Sequence, residues 1–227
     1  ALARWRRLGH ADLAVSVNVS AIQFRLDDIS AVVSAALGEV GESQSPDRLE
    51  LELTETLMIG DRDEDLEVLV RLSRNGIPLA MDDFGTGYSS LSYLVKMPFQ
   101  VVKIDRQFIQ RMCAEEQVYR VVQAIIAMSH ALNMRVVAEG VETHEQQHAL
   151  RALGCDELQG YLLSRPLSEQ SFLELVSELR NGKPVDDATQ GGLRVELAHA
   201  ARPVEDSSAV TRMLDAGATR VGAAGSS

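Results

Sequence analysis

The run Leu49-Glu50-Leu51-Glu52-Leu53-Thr54 decides the fold. Apolar and acidic residues alternate with a period of two, so in an extended strand the leucines share one face and the glutamates the other. The leucine face suits a layer of helices. The glutamate face points inward or toward the strand end, where carboxylates need partners.

Working outward, short strand-like runs recur at Val15 to Val19, Pro78 to Met81, Val101 to Ile104, Arg135 to Ala138 and Glu157 to Leu158. Longer helical patterns cover Asp63 to Asn75, Glu115 to Leu132, Thr143 to Leu153 and Ser168 to Arg180, with Gly76 and Gly154 placed as stops. Regular alternation of this kind predicts an α/β fold, a parallel sheet wrapped by helices. Residues Ala1 to His10 read as a helix leading into the first strand. The six β/α units counted this way fall two short of a TIM-like (β/α)8 barrel, which usually takes ~250 residues. The expectation is therefore a barrel domain over residues 1–181 that lacks its N-terminal strands. Residues 182–227, rich in Gly, Ala, Asp and Ser, read as a flexible tail with at most a short helix around Ser208 to Asp215.

Composition narrows the function classes. The 227 residues are 45% hydrophobic, enough for a substantial core. No apolar run approaches the ~18 residues of a membrane span, and the N-terminus lacks the layout of a signal peptide, so the reading is cytoplasmic, although a longer parent protein could be membrane-tethered. Cys113 and Cys155 lie far apart without metal-type spacing and read as free thiols. A net charge of −11 argues against DNA or RNA polymers as partners. A single nucleotide ligand remains compatible, provided divalent cations sit between carboxylate and phosphate.

Asn18, Glu52, Asp82, Asp83, Lys103, Glu139 and Gln159 each lie at or just beyond the C-terminal end of a strand candidate. In a β/α barrel those ends converge on one face, where active sites form. Each carboxylate taken singly reads equally well as a helix cap or a solvated turn residue; their recurrence unit after unit favours a shared site. Carboxylates plus an amide oxygen form a hard donor set suited to magnesium or manganese. Adjacent Asp82 and Asp83 could bridge two cations, the arrangement that clamps a phosphodiester and supplies hydroxide at neutral pH. Lys103 lies in an apolar strand and needs anionic partners; it could orient the attacking water or simply balance the carboxylates. Glu139 is the candidate general base. Asp82-Asp83-Phe84-Gly85-Thr86-Gly87 joins a strand to a helix through two glycines, a plausible loop at the site mouth, and Glu55 could anchor it or cap a helix.

Six ordered motifs now resemble the EAL domain, a family that linearises cyclic-di-GMP. They are Ser16-Val17-Asn18-Val19-Ser20, Glu50 to Thr56, Asp82 to Leu91, Val102-Lys103-Ile104-Asp105, Val137 to Thr143 and Leu158-Gln159-Gly160-Tyr161. The resemblance implies an EAL-type barrel in which Asn18, Glu52 and Asp82 ligate one metal, with Asp83 reaching a second. It implies that Lys103 helps activate water, Glu139 is the base, Gln159 completes the polar site, and Glu55, Glu142 and Asp105 support it. It further implies two Mg2+ or Mn2+ ions, 5′-pGpG as product, a homodimer beside the Asp82 loop, and an upstream sensory or diguanylate cyclase domain. The Glu-Ala-Leu motif that names the family, with its metal-binding Glu and following Arg, is absent from the sequence. A fragment or shortened product is the expectation, with weak turnover by the chain alone. The alternative is a catalytically impaired domain serving as a cyclic-di-GMP receptor or protein-interaction module.

Overall fold

Each strand expected from the sequence forms and pairs in parallel with the next. The strands are β1 (Leu13–Val19), β2 (Leu49–Thr54), β3 (Leu79–Phe84), β4 (Val101–Ile104), β5 (Arg135–Ala138) and β6 (Glu157–Gln159). The structure is a computed structural model and describes residues 1–26, 28–40, 46–54, 63–87, 91–180, 192–196 and 219–223. Helices alternate with the strands: α1 (Leu2–Arg7), α2 (Ala21–Leu26), α3 (Ile29–Val40), α4 (Asp63–Arg74), α5 (Leu91–Lys96), α6 (Arg106–Arg111), α7 (Glu116–Ala131), α8 (His144–Ala152) and α9 (Glu169–Arg180). Thr143 caps α8 in a reciprocal capping box with Gln146. Gly76 and Gly154 take φ of 81° and 79° where α4 and α8 stop.

Two further strands lie within residues 182–227. Strand β7 (Gly192–Glu196) pairs in parallel with β6, and β8 (Thr219–Ala223) pairs antiparallel with both β7 and β1. With these two, the six β/α units counted from the sequence become part of a closed ring of eight strands. The physical reason lies in the edges: six open strands leave the outer backbone groups of β1 and β6 without ladder partners, and closure satisfies them. The proposed helix around 208–215 lies outside the described residues.

Strand alternation divides the apolar residues into two separate systems. Leu49, Leu51, Leu53, Leu79, Met81, Val102, Ile104, Val136 and Ala138 belong to the main core with the helices. Trp5 of α1 joins that core, packing on Phe172 of α9 at 5.4 Å while its indole N–H donates to Glu169 at 2.7 Å. Ala80, Val101 and Val137, fully buried, form a small cluster of their own. These three share a strand face with Glu52, Asp82, Lys103 and Glu139. The barrel interior is therefore tiered. Below the apolar tier, Ser16 donates to Glu50 at 2.9 Å and Arg135 reaches both Glu50, at 3.4 Å, and Glu157. Above it stands the cluster described next.

Candidate metal centre

Lys103 is the hub of the upper tier. Its ammonium, with no solvent exposure, lies 2.9 Å from Glu52, 3.0 Å from Asp82 and 2.5 Å from Glu139. Strands β2, β3 and β4 and the residue just after β5 contribute these side chains, so the parallel register brings together residues separated by up to 87 positions. Burying an ammonium costs several kcal/mol without close anions; here three surround it.

Asp82 and Asp83 both enter the site although neighbours in a strand normally face opposite ways. A bulge accounts for this. Met81 pairs with Val102 and Phe84 with Ile104, so β3 spends one more residue than β4 over the same span. Asp83 completes the turn with φ of 54°, a left-handed conformation costly for a non-glycine residue and concentrated at functional sites. Carboxylate oxygens of Asp82, Asp83 and Glu139 then lie within 4.8 Å of one another. Burial, followed by the charges of Asp82 and Asp105 and a hydrogen bond shared with Asp105, holds the Asp83 carboxyl above its ordinary value. An oxygen-only set this close, under mutual repulsion, fits a hard divalent cation.

The cluster opens into a cavity of about 270 Å³ lined by residues that include Asp83, Asp105, Arg106, Glu139, Glu142 and Gln159. Asp105 also caps α6, accepting from the Gln107 amide at 2.7 Å. Gly140, with φ of 68°, lets the strand end pass Arg106 closely: a Cβ there would stand 2.5 Å from the Arg106 Cβ. Asn18 sits beside Glu52 in the β1–β2 register, half-buried, and does not line this cavity. Glu142 is exposed at the rim and accepts from Gln110 at 3.4 Å. Glu55 lies outside the described residues. The sequence reading missed Arg106 and Ser164 as cavity residues and gave Tyr161 no role. Arg106 follows the Lys103-Ile104-Asp105 run directly, a signal that adjacency to a strand end could have supplied.

Comparison with known proteins agrees with this geometry. The family model described as EAL domain matches residues 1–166. The bifunctional diguanylate cyclase/cyclic di-GMP phosphodiesterase MucR of Pseudomonas aeruginosa is 43% identical over 173 residues, 76% of this chain and 25% of MucR. Its phosphodiesterase, solved in complex with c-di-GMP, superposes with a TM-score of 0.70 over 75% of this chain and 68% of that one. Cyclic di-GMP phosphodiesterase RocR from the same organism is 42% identical over 166 residues, 73% of this chain and 41% of RocR. BlrP1 of Klebsiella pneumoniae, solved with manganese and cyclic-di-GMP, is 30% identical with a TM-score of 0.64, covering 72% of this chain and 42% of that one. The chain thus spans about a quarter of MucR and two fifths of RocR. With the family's profile covering its first 166 residues and the acidic strand ends gathered at one barrel mouth, the chain belongs to the EAL domain family.

Proposed function

We propose that this chain hydrolyses one phosphodiester bond of cyclic-di-GMP to give linear 5′-pGpG, using two magnesium or manganese ions. The observation that carries the reading is the approach of Asp82, Asp83 and Glu139 carboxylates within 4.8 Å, beside a buried lysine shared with Glu52. Asn18, Glu52, Asp82 and Asp83 would hold the cations. When bound, these withdraw charge from phosphoryl oxygens and lower the pKa of coordinated water. Glu139 takes the proton from the attacking water, while Lys103 fixes the Glu139, Glu52 and Asp82 carboxylates in place. Gln159, Glu142 and Asp105 line the cavity and hold the substrate or the loops beside it. The same reading includes a cytoplasmic setting, a homodimer and a companion sensory or cyclase domain, the last supported by the cyclase in the name of MucR. No described helix is long and apolar enough to cross a membrane.

The test is chromatography of cyclic-di-GMP after incubation with the protein and Mn2+, Mg2+ or a chelator. Metal-dependent 5′-pGpG is expected, reduced about 10²- to 10⁴-fold in Glu139→Gln with nucleotide binding retained. The alternative outcome is binding without turnover. Binding with no product under any metal would select it.

A further inference from the structure

Strands β7 and β8 carry charge where barrel closure alone needs none. In β7 the run Gly192-Leu193-Arg194-Val195-Glu196 alternates apolar and charged residues with a period of two, as β2 does. The register settles which set lies on the interior face. Lys103 pairs with Val137, Val137 with Glu157 and Glu157 with Gly192, so Gly192, Arg194 and Glu196 share the strand face of Lys103 and Glu139. Leu193, in register with Leu158 of the main core, falls on the outer face with Val195. Arg194 pairs directly with Gln159, which is buried and lines the cavity of Asp83 and Glu139. On the other side, β8 sets Gly222 opposite Arg194 and Arg220 opposite Glu196. One of the two arginines therefore has a carboxylate across from it and the other a glycine, which offers no side chain. A guanidinium on the interior face of a barrel is costly to desolvate until an anion meets it.

We infer that Arg194 is a phosphate-binding residue for the dinucleotide, an inference that rests on the phosphodiesterase reading. Cyclic-di-GMP has two phosphodiesters, and the metal-assisted step acts on one of them. The other keeps its negative charge and needs a counter-charge of its own. The described lining of the cavity offers the carboxylates of Asp83, Asp105, Glu139 and Glu142 against the single guanidinium of Arg106. The Lys103 ammonium is already engaged by Glu52, Asp82 and Glu139. An arginine on β7 at the register of Gln159 supplies the missing positive charge, with the planar fork of donors that suits phosphate oxygens. Strand β7 lies beyond residue 166, where the match to the EAL domain model ends, so this residue belongs to the chain's own C-terminal segment.

The experiment is calorimetric titration of the full chain with cyclic-di-GMP in Ca2+, and separately with Mn2+ alone, for wild type, Arg194→Met and Arg194→Lys. Arg194→Met is expected to weaken dinucleotide binding about 10- to 100-fold, and Arg194→Lys by less. Added KCl should weaken the wild-type complex more steeply than the Arg194→Met complex, because a charge contact has been removed. Mn2+ affinity should match or exceed the wild-type value. On wild-type protein, saturating cyclic-di-GMP should protect Arg194 from phenylglyoxal, read by peptide mass spectrometry, a measurement that does not depend on either variant folding. Equal dinucleotide affinity in wild type and Arg194→Met, or equal labelling of Arg194 with and without nucleotide, would overturn the inference and leave the phosphodiesterase reading intact. So would a loss of Mn2+ binding in parallel with nucleotide binding, which marks a structural role. Wild-type protein that binds Mn2+ but not cyclic-di-GMP would overturn the reading and this inference together.

Discussion

Lys103 Nζ stands 2.5 Å from Glu139 Oε1, which makes the proposed base and the buried cation a single unit. The same ammonium touches Glu52 and Asp82, so its removal exposes three carboxylates to one another's charge inside the barrel. Replacing Lys103 with methionine should therefore destabilise the metal-free protein by about 3–5 kcal/mol, the usual cost of removing one partner from a buried ionic group. Added Mn2+ should recover part of that loss, because a cation binding only the folded chain stabilises it by mass action. Urea unfolding with and without Mn2+ measures both effects.

The lower tier should behave independently of the upper one. Arg135 joins Glu50 across the barrel and Glu157 on the neighbouring strand, and Val101 and Val137 precede Lys103 and Glu139 on the same strand faces. Arg135→Met takes a cationic partner from the buried Glu50 carboxylate and should cost about 1–3 kcal/mol of stability. Mn2+ affinity should stay at the wild-type value. A fall in Mn2+ affinity matching that of an upper-tier variant would show that the apolar tier does not insulate the two.

The thiols give a prediction with a pH sign. Cys155 is half-buried as a residue, but its sulfur lies 3.6 Å and 3.4 Å from the Val136 and Glu157 carbonyls. Burial pushes its pKa from 9.0 up to about 12. The folded state thus favours the neutral thiol. The resulting stabilisation is complete below pH ~9 and is lost as pH rises from there toward ~12, since only the unfolded chain ionises in that window. At pH 8.5, iodoacetamide followed by mass spectrometry should label exposed Cys113 and leave Cys155 unmodified until denaturant is added.

How much of this was legible in the sequence follows from what a one-dimensional pattern carries. Period-two runs marked β1 to β6, and Val101–Ile104 and Arg135–Ala138 match their strands residue for residue. The strand-end rule also brought Glu52, Asp82, Lys103 and Glu139 to one place before any coordinates. Three features were hidden. Strands β7 and β8 pair because a ring must close, and that demand comes from β1 and β6 rather than from residues 192–223 themselves. The convergence of Asp82 and Asp83 was expected from their place at a strand end, but the bulge between Met81 and Phe84 that achieves it was not. The tie between Glu50 and Arg135 spans 85 positions and exists only because the barrel curves.

The most direct test of the central claim is Mn2+ binding to the wild-type chain and to Asp82→Asn, followed by calorimetry at neutral pH. A metal centre built on Asn18, Glu52, Asp82 and Asp83 predicts measurable binding by the wild type and at least a tenfold loss in the variant, with the fold retained by circular dichroism. Mn2+ affinity that is unchanged by Asp82→Asn, or absent from the folded wild-type protein, would contradict it.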